Sequence, residues 1–282
     1  MVRFLIDDTN TIRVEQATVA PAVYFDHWAL RNISEDPALK SRVTGALNSR
    51  GGTLMLSWLN LAEFSKVTDS AQAQCTESLV EDILPNVFFL EINPFTVIEK
   101  EDQLLAGGQP TAPHADTGFL KAFIALTPTS ARPFTARNLF RAVTQSEFAG
   151  EFDALANTIV ERSNALRDSM VNDATFEKRV KRLPSGPEIQ HGTRYLLREL
   201  ARSFLVDRTL SLTRNHAIDL LHSVVPVAYC DLVLLDKHWE TQVEKVRSRF
   251  ADADMNVPLA RVYSRRMNGM ERFLSTLESS DI

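Results

Sequence analysis

Residues 22–34 read AVYFDHWALRNIS. The first four are apolar or aromatic, Asp26 closes them, and a partly apolar run of helical length follows. A short continuous apolar run bounded by a polar residue is the pattern of a strand covered on both faces. The segment 22–26 is therefore expected to be a buried strand that hands over to a helix. Three further runs have the same character. TLMLS spans 53–57 after Gly51 and Gly52, VFFLEI spans 87–92 before Asn93 and Pro94, and DLVLL spans 231–235 before Asp236. Segments of helical length at 34–49 and 68–84 separate the first three. Strand–helix–strand alternation builds βαβ units and a mostly parallel sheet. The expected fold class is α/β.

The middle of the chain reads differently. From Glu99 to Phe204 there is almost no strand signal, and Phe148, Phe152, Leu155, Ile159, Leu166 and Met170 keep helical spacing. Loops at 107–113 and 183–187 are rich in Pro, Gly and Thr. The expected organisation is an α/β domain in two parts, 1–98 and 206–282, with a helical insertion or subdomain at 99–205. In the last part, Asn215 is expected to cap a helix that Pro226 limits near Val225. A helix from His238 to Phe250 is expected after the fourth strand; the pattern over 258–277 is ambiguous and is compatible with a short edge strand and a last helix.

The 282 residues are 44% hydrophobic and 24% charged, which excludes a collagen-like, disordered or coiled-coil chain. No apolar run approaches the ~18 residues of a membrane span. Asp7 and Asp8 interrupt the N-terminus before a signal-peptide core develops. Two cysteines, Cys75 and Cys230, make no disulfide scaffold, so a reducing cytoplasm is the expected compartment. The net charge of −5 leaves nucleic-acid binding to local basic patches. Three exist: Lys178–Arg182, the stripe Arg194, Arg198 and Arg202, and the group Arg261, Arg265 and Arg266. Each is a solvated face in the plainer reading and a phosphate-tracking rim in the functional one. Walker, dinucleotide and G-x-S-x-G motifs are absent.

In a parallel α/β sheet, chemistry sits beyond the carboxyl ends of the strands. Asp26 ends the first expected strand and Asp236 follows the fourth. Glu63 falls in the opening turns of the helix after the second strand. Asp219 falls in the first turns of the helix before the fourth, among Ile218, Leu220, Leu221, Val224 and Val225. A carboxylate in such company is expensive unless compensated, and a divalent cation compensates it best. Hard oxygen ligands select Mg²⁺ or Mn²⁺. Such a site ionises a bound water and neutralises phosphate charge, so metal-dependent phosphodiester hydrolysis is the expected reaction. Taken singly, each acid also fits a cap, a loop start or a solvated helix position. Asp7–Asp8 are rivals for the first-strand acid, although no packed helix pattern follows them. Asp231, at the opposite strand end, is expected to be structural. His216 and His222 flank Asp219 at −3 and +3, and are expected on the polar surface of the helix.

These residues also carry a family resemblance. VYFDHWALRNIS (23–34), SWLNLAEFSKV (57–67) and DLLHSVVPVAYCDLVLLDKHW (219–239) resemble the acidic segments of PIN-domain nucleases, particularly the bacterial toxin type. Asp26 and Glu63 stand 37 positions apart and Asp219 and Asp236 17, which suits that family. The resemblance covers about the first 95 residues and about 210–250. It implies a three-layer α/β/α fold and endonucleolytic cleavage, usually of RNA, with Mg²⁺ or Mn²⁺. It implies that Asp26 and Asp236 hold the metal most directly and that Glu63 and Asp219 complete the acidic cluster. A nucleic-acid substrate, RNA before DNA, an antitoxin or other protein partner, and a homodimer are the partners it brings into view, with no membrane. One departure is Leu234, where members often carry Ser or Thr two positions before the last aspartate. The other is the 156-residue gap from Glu63 to Asp219. Both keep an alternative open, a non-catalytic PIN-like protein- or RNA-binding module acting through the insertion.

Overall fold

The structure is a computed structural model that describes residues 1–6, 12–65, 69–126, 135–145, 148–171, 173, 175–185, 192–206 and 212–279. Two strands, β1 (Val2–Ile6) and β2 (Ile12–Gln16), form an antiparallel hairpin. Five more form one parallel sheet: β3 (Ala22–Phe25), β4 (Thr53–Leu56), β5 (Val87–Phe89), β6 (Leu232–Leu234) and β7 (Arg261–Tyr263). Their order is β5-β4-β3-β6-β7, and every neighbouring pair is parallel. Strands β3 to β6 are the four apolar runs of the sequence, and all are fully buried. The sequence reading contained no hairpin. Its strands join the rest of the molecule through Val2 N–H to Pro85 O at 2.8 Å and Phe89 N–H to Gln16 Oε1 at 2.7 Å. Asp7 and Asp8 lie outside the described residues, as does the end of the 183–187 loop.

The architecture is three-layered, α/β/α. Helices His27–Glu35, Pro37–Arg50, Ser70–Ile83 and Gly269–Glu278 pack together in one layer. Pro94–Ala106, Gly192–Val206, Arg214–Tyr229 and Lys237–Asp252 pack together in the other. The chain runs outward from β3 through β4 to β5, then returns to the far side of β3 as β6. Right-handed crossovers in opposite directions place their helices on opposite faces. The reversal makes a crevice between β3 and β6 at the carboxyl edge of the sheet, where parallel α/β proteins bind ligands.

Three boundaries differ from the sequence reading. The helix expected over 34–49 is two helices that meet at Asp36. Asp36 Oδ1 accepts from Ala38 N–H at 2.8 Å and Leu39 N–H at 3.1 Å, and Pro37 occupies the first helical position. Thr213, not Asn215, caps the helix Arg214–Tyr229, and it forms a capping box with His216. Pro226 lies inside that helix instead of ending it. An interior proline costs about 3 kcal/mol. Here Leu220, Leu221, Val224, Val225 and Val227 are all buried, and their burial, at roughly 1.5–3 kcal/mol each, outweighs it.

The segment 99–205 is helical wherever it forms regular elements: Thr117–Leu126, Ala136–Gln145, Phe148–Val171, Phe176–Lys181 and Gly192–Val206 follow the helix at 94–106. Phe119, Leu139, Ile159, Leu196 and Leu200 join the same hydrophobic core as the sheet. No helix among the described residues is long and apolar enough to cross a membrane.

Candidate metal centre

Asp26 is the first residue past β3. Its N–H donates to Leu234 O at 2.9 Å, so the end of β6 fixes its position. Leu234 is fully buried and offers the site only this carbonyl. Asp26 Oδ1 accepts the His27 N–H at 2.5 Å and opens the helix His27–Glu35. Glu63 sits in the second turn of the helix Trp58–Ser65, which begins two residues after β4. The third member comes from across the sheet. His222 projects from the buried face of Arg214–Tyr229, and its Nε2 lies 3.2 Å from Glu63 Oε2. The His27 ring adds a contact to the same oxygen at 3.9 Å. One donor atom each from Asp26, Glu63 and His222 falls within 4.8 Å of the others.

His222 is where the structure corrects the sequence reading. It is 2% exposed, not a residue of the polar helix surface. The face was misread because Asp219 and His222 sit in a helix whose buried stripe is wider than one apolar row. A buried imidazole needs partners, and a chain of polar groups supplies them. Tyr24 Oη lies 2.5 Å from His222 Nδ1 and 3.4 Å from Ser57 Oγ. Ser57 Oγ donates to Asn60 Oδ1 at 3.0 Å, and Asn60 Nδ2 donates to Phe25 O at 3.1 Å. Because Ser57 gives its proton to Asn60, it accepts from Tyr24. Tyr24 then accepts from the His222 Nδ1–H. That direction leaves Nε2 as the coordinating nitrogen of the neutral ring, held in place by a hydrogen bond behind it. Nε2 itself has no aligned hydrogen bond, despite its closeness to Glu63.

Asp219 and Asp236 border this group without joining the three-atom cluster. Asp219 lies in the second turn of its helix, within the opening turns expected, and the Trp239 indole N–H donates to its carboxylate. Asp236 precedes the helix Lys237–Asp252, is exposed, and makes no side-chain cap. Asp231 lies at the opposite edge, where its Oδ2 accepts from Ala22 N–H at 2.7 Å.

The charges are strongly coupled. Burial pushes the Asp26 carboxyl up to about 6; His222 opposes the shift, and Glu63 and Asp236 add to it. Burial also raises Asp219, with Asp236 and Glu63 adding to the rise. Burial alone would neutralise His222, but Glu63, then Asp26 and Asp219, outweigh it and raise the imidazole to about 9. In the metal-free protein His222 is therefore the counter-charge of the acids.

The sign of the pH dependence follows. A histidine raised from 6.5 to about 9 contributes stability that is complete below 6.5 and lost as pH rises through 9. Asp26, raised from 3.8 to about 6, acts in the same sense, since its contribution is complete below 3.8 and lost through 6. We expect the melting temperature in EDTA to fall by on the order of 5 °C between pH 6 and pH 9. Mn²⁺ should raise it more at pH 8 than at pH 6, because a cation must displace the His222 proton. Thermal melts across that range check both; a flat profile with and without metal would contradict them.

The residues fit a divalent cation. Carboxylate and imidazole ligands at roughly 2.0–2.2 Å from an ion lie about 3–4 Å from one another, and here the three donor atoms lie within 4.8 Å of one another, with His222 Nε2 and Glu63 Oε2 at 3.2 Å. The outward Nε2 of His222 is backed by a hydrogen bond at the opposite ring nitrogen, Nδ1, as expected of a ligand. Tyr24, Ser57, Asn60 and His222 were not among the site residues expected from the sequence. Their signal was polar groups placed inside otherwise apolar runs.

The basic clusters are distributed unevenly. Arg194 pairs with Asp102 at 2.5 Å, and Arg202 with Glu199 at 2.9 Å, so two members of that stripe are neutralised locally. In the 178–182 segment, the carbonyls of Val180 and Arg182 accept hydrogen bonds from Arg202 and Arg249. Arg261 starts β7 at the far edge of the sheet, whereas Arg265 and Arg266 follow its carboxyl end, on the side of Asp26. No protein-family model, curated protein or solved structure matches this chain.

Proposed function

We propose that this protein is a divalent-metal-dependent endonuclease of PIN-like type that hydrolyses phosphodiester bonds in RNA. The observation that carries the reading is the convergence of Asp26, Glu63 and His222 at the crevice between β3 and β6, with Nε2 of His222 held from behind by Tyr24. Asp26, Glu63 and His222 would hold the ion. A mixed oxygen and imidazole set favours Mn²⁺ over Mg²⁺ more than four carboxylates would. A bound divalent ion supplies Lewis acidity and a water that ionises near neutral pH.

The chain's own residues do the rest. Tyr24, Ser57 and Asn60 fix the His222 ring so that its Nε2 faces the acids. Trp239 holds the Asp219 carboxylate. Asp236, exposed and free of any cap, is the carboxylate placed to accept hydrogen bonds from an entering water. Leu235 and Trp239, both buried beside it, keep bulk water from the inner wall.

A second reading draws on the His222–Glu63 contact, which compensates the acids without an ion. On that reading the cluster is structural and the protein is a binding module. Labelled single-stranded RNA incubated with the purified protein in Mn²⁺, Mg²⁺ or EDTA separates the two. The nuclease reading expects internal cleavage with Mn²⁺, less with Mg²⁺ and none in EDTA. Intact RNA in all three, with unaltered melting temperature on adding metal, favours the module.

A further inference from the structure

Trp28 lies two residues beyond Asp26, in the first turn of the helix that Asp26 opens. Its indole is 7% exposed, and what covers it is a charge: Arg265 Cζ stands 4.9 Å from the ring centroid. Arg265 itself is exposed, and no carboxylate among the described residues lies within ion-pair distance of it. The buried Trp28 Nε1–H has no hydrogen-bond acceptor among the described residues. A donor left unmet beneath an unneutralised guanidinium, at the carboxyl edge of the sheet where Asp26 also stands, points to an anionic ligand.

The loop that carries Arg265 is tightly specified. Ser264 is fully buried; its hydroxyl donates to Glu240 Oε2 at 2.6 Å and accepts the Arg266 N–H at 3.2 Å. A Cβ at Gly269 would sit 1.8 Å from Ser264 O, so only glycine lets the chain close there. Met267 and Asn268 are held at φ 50° and 56°, a conformation that ordinary side chains rarely adopt. Non-glycine residues persist there only when their surroundings over-determine the path. Stacking on the indole holds the planar fork of Arg265 ready, so little side-chain freedom is lost on forming a bidentate contact.

We infer that Arg265, braced on Trp28, grips a backbone phosphate of the single-stranded RNA adjacent to the one presented to the acidic centre. This rests on the nuclease reading. It separates Arg265 from Arg261, which the sequence groups with it but the fold sends to the other edge of the sheet.

The test uses the full chain carrying Asp26→Asn, so that RNA is bound and not cut. Fluorescence anisotropy with a labelled single-stranded oligoribonucleotide gives the affinity at several salt concentrations. Adding Arg265→Met, which keeps an apolar stem over the indole, should weaken binding about tenfold. It should reduce the slope of log K against log salt by about 0.7, the value for one phosphate contact on a single strand. The melting temperature should stay within about 1 °C, and Arg261→Met should change neither affinity nor slope. Equal affinity and slope with and without Arg265→Met, or an equal loss with Arg261→Met, overturns the inference. If the Asp26 chain still cleaves RNA with unchanged Arg265→Met kinetics, the inference falls and the nuclease reading stands. If that chain does not cleave and the Asp26→Asn chain binds no RNA, both fall.

Discussion

Asp26→Asn is expected to abolish metal-dependent RNA cleavage, by about a thousandfold or more, and to raise the melting temperature of the metal-free protein. The two effects share one cause. Asp26 is ionised at pH 8 against burial and against Glu63 and Asp236, since its carboxyl is pushed up to about 6. Each unit of such a rise corresponds to about 1.4 kcal/mol of disfavoured charge. Asparagine removes the charge yet still offers an oxygen to the His27 N–H, so the helix cap survives. Stabilisation of a few °C is therefore expected at pH 8, and little at pH 4, where the wild-type carboxyl is already neutral. A side chain acting only as a cap would give the opposite pattern, with unchanged cleavage and unchanged or lower stability. Gel-based cleavage assays and melts at the two pH values read both halves.

The second large effect concerns stability. His222→Leu keeps the volume of the site roughly constant but removes the positive partner of Glu63, Asp26 and Asp219. Removing one partner of a buried ion pair costs about 3–5 kcal/mol, because the remaining charge stays uncompensated. For a chain of this length that lowers the melting temperature in EDTA by on the order of 10 °C. Tyr24 Oη, buried with its proton committed to Ser57, loses its donor as well. The pair should be non-additive: in Asp26→Asn with His222→Leu, part of the loss is recovered, since one of the acids that needed the imidazole is gone. Denaturant unfolding of the two single variants and the double variant measures that coupling. Strict additivity would place His222 outside the acidic cluster's energetics.

Much of this arrangement was legible in the chain. The four apolar runs became β3 to β6 because a strand buried on both faces cannot alternate polar and apolar residues. Asp26 and Asp236 follow from those runs directly, since a strand's last residue and its successor lie at the sheet edge. Glu63 depended only on a helix starting soon after β4. His222 was not legible in the same way. Its burial comes from a helix that continues through Pro226 and packs on the sheet, a tertiary effect that overrides the local signal of proline. The hairpin was missed because Asp7 and Asp8 read as the end of a run, while its attachment relies on Gln16 reaching the backbone of β5. The split of Arg261 from Arg265 needed the direction of β7, which proximity in sequence conceals.

The central claim is that Asp26, Glu63 and His222 seat one divalent cation. Isothermal titration of Mn²⁺ into the metal-free protein, at pH 6 and pH 8 in buffers of different ionisation heat, tests it most directly. The account predicts binding that tightens with pH, releases a proton as the ion displaces it from His222, and disappears in Asp26→Asn. Mn²⁺ binding that is absent from the wild type, or equal in the wild type and Asp26→Asn, would contradict it.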